Sequence, residues 1–104
     1  SANKPAMTTR LVIRKAAKQD LQDAFDYYQS CLPNLGHEFL LCVDAQMKAI
    51  QRMPRRYRQV YGVIRRAVVQ RFPYYIYFIE TEHLISVIAV LHVRRAPADW
   101  QSRQ

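Results

Sequence analysis

The sequence predicts an α+β fold of order β-α-α-β-β-β, a helical hairpin packed on a small antiparallel sheet. Three observations carry that expectation. Apolar residues recur at helical spacing through two long segments of the first half. The period then changes to runs of β-branched and aromatic residues in the second half. The gaps between those runs are shorter than the roughly dozen residues of a parallel crossover, so consecutive runs pair as hairpins.

The elements follow in order. "TTRLVIRK" supplies Leu11, Val12 and Ile13, a first short strand. In "AAKQDLQDAFDYYQSCLP", Leu21, Phe25, Tyr28 and Leu32 share one helical stripe, and Pro33 and Asn34 stop the helix. "LGHEFLLCVDAQMKAIQRMP" places Phe39, Val43, Met47 and Ile50 on a second stripe with Leu40 beside it, and Pro54 ends it. Only a few residues join the two helices, which predicts antiparallel packing. The Phe and Met stripes read as core. "RRYRQVYG" reads as a basic connection. "VIRRAVVQRF", "YYIYFI" and "LISVIAVLH" are the three remaining strands, separated by Pro73 and by "ETEH". The hairpin then covers one face of the sheet and leaves the other partly open.

The 104 residues suit one domain, assigned to residues 7–104. Met7 is read as the natural start, with Ser1–Ala6 an expression remnant or a disordered N-terminus. A hydrophobic content of 50% supports a core and argues against disorder. Cys31 and Cys42 form no CxxC pair and have no His pair at metal spacing. They are expected as free, buried thiols of a reducing cytoplasm, with no metal and no cofactor. No apolar run approaches the roughly twenty residues that span a bilayer. "SANKPAMTTR" lacks the apolar middle of a signal peptide. The expected location is cytoplasmic.

Charge is more informative. Sixteen Lys and Arg, mostly Arg, face eight Asp and Glu, a formal net charge of +8. From Ala45 to Ile79 there is no acid, while the same span holds Lys48, Arg52, Arg55, Arg56, Arg58, Arg65, Arg66 and Arg71. Asp20, Asp23 and Asp26 gather on the first helix. Such a segregated field attracts a polyanion or an acidic chain. Alternation along "IRRAVVQRF" puts Arg65, Ala67, Val69 and Arg71 on one side and Ile64, Arg66, Val68, Gln70 and Phe72 on the other. Because Ile64 and Phe72 look like core, Arg65 and Arg71 are expected on the open face, with Arg66 near a strand end.

Common enzyme signatures are missing. Gly36 and Gly62 are the only glycines, so no phosphate-binding glycine loop exists. There is no HExxH and no nucleophile elbow. His37, His83 and His92 lie far apart, and Glu80 and Glu82 are read as solvated turn residues. One stretch stands out: "HVRRAPADW" sets His92, Arg94, Arg95 and Trp100 within nine residues.

The ordered set resembles the RelE/ParE superfamily of type II toxin–antitoxin modules. "DLQDAFDYY" is similar to the first helix of that family, and "AIQRMPRRYR" to its second-helix end and basic loop. "VIRRAVVQRFPYYIYFI" is similar to its Arg-bearing strand, Tyr-rich turn and next strand. "LISVIAVLHVRRAPADW" is similar to its closing strand and basic, aromatic ending. The likeness spans nearly all of Thr8 to Trp100, and the "HxRRxPxxW" ending resembles the ParE-like, plasmid stabilisation branch.

The resemblance implies a toxin held inactive by a cognate antitoxin, reaching operator DNA only through that antitoxin and having no membrane role. In the ParE-like branch the target is DNA gyrase, and Arg65, Arg71, Arg94, Arg95 and Trp100 are expected to bind target or antitoxin. Such a poison needs a surface and no catalyst. The RelE-like alternative is a ribosome-dependent mRNA endonuclease, with Arg65, Arg66, His92 and Arg94 as its candidate residues. That chemistry needs a base, phosphate-holding cations and an acid. Trp100 stands where such an enzyme would carry tyrosine, and indole cannot exchange a proton as phenol can. No lysine follows Lys48, and Arg is a poor general base. A third reading is a degenerate, non-toxic family member.

Overall fold

A computed structural model describes residues 9–104, so the expectations for Ser1–Ala6 and Met7 lie outside the described residues. Strand β1 (Arg10–Ile13) leads into helices α1 (Lys15–Cys31) and α2 (Leu35–Arg52). A single 3-10 turn at Pro54–Arg56 follows. Strands β2 (Gln59–Tyr61), β3 (Ile64–Val68), β4 (Tyr74–Thr81) and β5 (Leu84–His92) come next, then the short helix α3 (Ala98–Gln101). No helix among the described residues is long and apolar enough to cross a membrane.

The α+β class and the helical hairpin on a sheet are as expected, but the sheet is larger and mixed. Five strands run in the order β1-β5-β4-β3-β2. β1 lies parallel to β5, with Leu11 beside Ile85 and Ile13 beside Val87. All other pairs are antiparallel. Short gaps dictate antiparallel pairing only between consecutive strands; β1 and β5 are separated by most of the chain, and that constraint does not reach them. β2 lies inside the segment read as a basic connection.

The hairpin works because α1 and α2 approach closely at their joined ends. Asn34 takes a left-handed conformation, φ 70°, which its short polar side chain tolerates. Gly36 then sits in α2 against α1, where a Cβ would come within 2.6 Å of Gln29 Cγ and 2.8 Å of the Phe25 carbonyl oxygen. The Gly36 N–H donates to Gln29 Oε1 at 2.8 Å. Ala17 and Ala24, both buried, let α1 lie close to the sheet. Leu32, expected on the buried stripe, is instead 57% exposed at the end of α1.

Two cores result, one on each side of the sheet. Phe39, Val43, Met47 and Ile50 of α2 pack with Ala67, Ile76, Phe78, Ile85, Val87 and Val90. The opposite side buries Ile64, Tyr77, Ile79, Ile88, Ala89 and Leu91 under Trp100 of α3. A register shift against Tyr77 and Phe78 inserts an extra residue in β5. That bulge turns both Ile88 and Ala89 toward the second core.

Candidate functional site

The stretch from His92 to Trp100 leaves the end of β5 and returns under the sheet as α3. Its first turn is fixed locally: the Arg94 N–H donates to His92 Nδ1 at 3.1 Å, and the Arg95 N–H to the His92 carbonyl at 3.0 Å. The Arg95 guanidinium reaches Asp99 Oδ2 at 2.8 Å. That bond holds the Asp99 carboxyl below its ordinary pKa. Arg94 is exposed and makes no ion pair among the described residues.

Trp100 is not an exposed anchor. It is 4% exposed, lies flat on Tyr77 at 4.3 Å between ring centroids, and meets Tyr61 edge-on at 6.3 Å. Its side chain closes the second core, and the surface it serves is the one its neighbours present.

The two central arginines are on the opposite sides from those expected. Arg65 shares the helix side of β3 with buried Ala67. Its Nη1 donates to the Tyr57 carbonyl at 2.6 Å and the Arg55 carbonyl at 3.4 Å, pinning the basic connection against the sheet. Arg66 takes the open side with Ile64, and its guanidinium lies 4.0 Å over the Tyr75 ring. Strand alternation does not extend as far as Phe72. β3 ends at Val68, and Arg71, φ 72°, turns the backbone so that Phe72 falls on the helix side. Arg71 lies beyond the strand, paired with Glu38 of α2 at 2.9 Å.

The residues named for RNA cleavage fall into two separate groups, His92 with Arg94 at the end of β5 and Arg65 with Arg66 in β3. His92 shares the helix side with Val90 at one end of β5, with Tyr74 edge-on at 5.5 Å. Arg66 is on the other side of the sheet, and β4 separates β3 from β5 by two strand spacings, about 10 Å. Arg65 is engaged with backbone carbonyls. Of the two phenols near Arg66, Tyr75 lies under its guanidinium and Tyr77 is 1% exposed. Burial pushes its pKa up, against the opposing hydrogen bond and charge of Arg66.

Arg58 and Arg103 carry no site role in the sequence reading. Arg58 and Arg66 line one cleft beside α3, brought together by the Arg66 N–H donating to the Arg58 carbonyl at 3.2 Å. Arg103 closes the C-terminus: its Nη1 reaches Asp20 Oδ2 at 2.6 Å and the Ile88 carbonyl at 3.1 Å. Asp20 also accepts the Val90 N–H at 3.0 Å. β1 ends at Ile13, so these side chains satisfy the exposed edge of β5 past the bulge. Nothing in the local sequence pairs positions 20 and 103. The thiols also differ from expectation: Cys31 is exposed and Cys42 half-buried. Glu80, read as solvated, lies in β4 and accepts from Arg55 Nε at 3.3 Å.

Residues 11–97 match the profile of the family described as the ParE toxin of the type II toxin–antitoxin system, parDE. Among curated proteins, the chain is 30% identical over 92 residues to Toxin ParE2 of Mycobacterium tuberculosis strain H37Rv, covering 88% of each protein. The same protein of strain CDC 1551 matches equally. Among solved structures, the fold is similar to a chain of a chromosomal ParDE TA system from P. aeruginosa. That match has TM-score 0.73 and 17% identity, and covers 82% of this chain and 96% of that one.

Proposed function

This chain belongs to the ParE toxin family of type II toxin–antitoxin systems, and we propose that it acts by binding and inhibiting DNA gyrase until an antitoxin neutralises it. The observation that carries the gyrase reading is the dispersal of Arg65, Arg66, His92 and Arg94. A ribosome-dependent nuclease would have to place a base, a phosphate-holding cation and an acid around one phosphodiester. Arg65 and Arg66 lie on opposite sides of β3, and β4 separates them from His92 and Arg94. A binding poison makes no such demand.

The gripping surface is the turn at Arg94 and Arg95. It is held from below by the Trp100–Tyr77 stack and from the side by the Arg95–Asp99 pair. The backbone of the turn is already fixed by its two hydrogen bonds to His92, so docking through Arg94 orders a side chain and no loop. The antitoxin meets the basic field of the chain with an acidic or amphipathic segment, and operator DNA is reached only through it. The compartment is the cytoplasm, where gyrase works.

Supercoiling by purified gyrase tests this directly. The chain is expected to inhibit supercoiling, and added antitoxin to restore it. Absence of inhibition at a large molar excess of the chain overturns the proposal. Codon-phased cuts in translated mRNA after induction would move the activity to the nuclease alternative.

A further inference from the structure

We propose that the cleft between β2, β3 and α3 is a carboxylate-binding site, and that its occupant is an acidic, amphipathic peptide segment of a partner protein anchored by Arg58 and Arg66. The inference rests on the reading that a protein partner neutralises this chain, and it supplies the place and the chemistry of the contact.

The cleft has a volume of about 390 Å³ and no acid in its lining. Arg58, Arg66 and the amides of Gln59 and Gln101 supply its donors, and Val60 and Pro97 give it apolar wall over the buried Trp100. Elsewhere Arg55, Arg71, Arg95 and Arg103 each meet a carboxylate. Neither Arg58 nor Arg66 makes an ion pair among the described residues. The cleft is therefore a place where two arginines line one depression with no carboxylate beside them among the described residues. A carboxylate accepting from two guanidinium groups makes charge-assisted hydrogen bonds, the strong kind.

Arg66 is organised in advance. Its guanidinium stacks 4.0 Å over Tyr75 while its backbone is tied to Arg58, so little freedom is left to lose. Stacking occupies the face of the guanidinium, and its five-donor edge keeps N–H groups beyond the one turned to the Tyr77 hydroxyl.

The neighbours select a peptide. Val68 is 51% exposed on the same side of β3 as Arg66, and lies opposite Tyr75 in the strand register. A segment with an acid beside an aliphatic residue would satisfy the arginines and cover Val68 together. Single-stranded nucleic acid would need aromatic faces for its bases. Here Arg66 covers one face of Tyr75, and Trp100 is buried against Tyr77.

The test is fluorescence anisotropy on the full chain with three labelled probes: an alternating Glu–Leu peptide, an alternating Lys–Leu peptide and an oligothymidylate. The Glu–Leu peptide should bind most tightly. The Arg58→Gln and Arg66→Gln variants should each weaken it roughly tenfold or more, the loss of a charge-assisted hydrogen bond, with the melting temperature maintained. Arg66→Lys, which keeps charge without the planar stack, should fall between and serves if the Gln variant fails to fold. Unchanged Glu–Leu affinity in the variants overturns the proposal, as does an absence of binding. So does tighter binding of the Lys–Leu peptide or the oligothymidylate. Gyrase is not in the assay, so failure here leaves supercoiling inhibition untouched, and a failed supercoiling assay leaves the cleft standing.

Discussion

The indole of Trp100 lies flat against the ring of Tyr77, 4.3 Å between centroids and 21° between planes. This contact joins the last helix of the chain to the centre of its sheet. It also explains how a tryptophan in a basic, surface-seeking stretch serves the fold. The indole closes the second core, and the arginines before it are displayed on the turn it supports.

Trp100→Ala should therefore destabilise the fold by about 3–5 kcal/mol, the usual loss for truncating a buried aromatic side chain. Trp100→Phe should recover much of that. Urea unfolding measures both. A loss under about 1 kcal/mol for the alanine variant would show that α3 is dispensable for folding.

Gly36→Ala should destabilise despite the higher helix propensity of alanine, worth about 1 kcal/mol in an open helix. The added Cβ meets Gln29 Cγ and the Phe25 carbonyl oxygen, and the backbone cannot step aside cheaply. A net loss of roughly 1–3 kcal/mol is expected from overpacking, seen as a lower thermal midpoint.

Asp20→Ala removes the acceptor shared by the Val90 N–H and the Arg103 guanidinium. Both partners are left near the β5 edge with poor access to water, which costs about 1–3 kcal/mol. Hydrogen exchange at the Val90 amide should speed up. Unchanged protection there would mean that Asp20 does not hold the edge.

Stability should fall at alkaline pH. Burial is the first cause raising the pKa of Tyr28, Tyr74 and Tyr77. A phenol whose pKa is higher folded than unfolded contributes fully below the unfolded value, about 10, and loses that contribution as pH rises through the folded value. Denaturation midpoints should decline above about pH 10, and Tyr77→Phe should make the decline shallower.

Much of this was legible in the sequence. Phe39, Val43, Met47 and Ile50 recur at helical spacing because one face of α2 meets the sheet, and all four are buried. The hairpin, the three long strands and the basic turn after β5 follow from equally local signals. What escaped was non-local. β2 is three residues long inside an arginine-rich stretch, too short for its pattern to register. The sides taken by Arg65 and Arg66 depended on where β3 ends, and the turn at Arg71 set Phe72 apart from Ile64. The Arg58–Arg66 cleft and the Asp20–Arg103 pair exist only once distant segments are folded together.

Supercoiling by purified gyrase, measured with the wild-type chain and with Arg94→Glu, tests the central claim most directly. Arg94 is exposed and makes no ion pair among the described residues, so the variant should keep its circular dichroism spectrum and melting temperature. The wild type should inhibit supercoiling, and the variant should do so at least about tenfold more weakly, as for loss of a binding anchor. No inhibition by the wild type, or equal inhibition by a folded Arg94→Glu chain, would contradict the account.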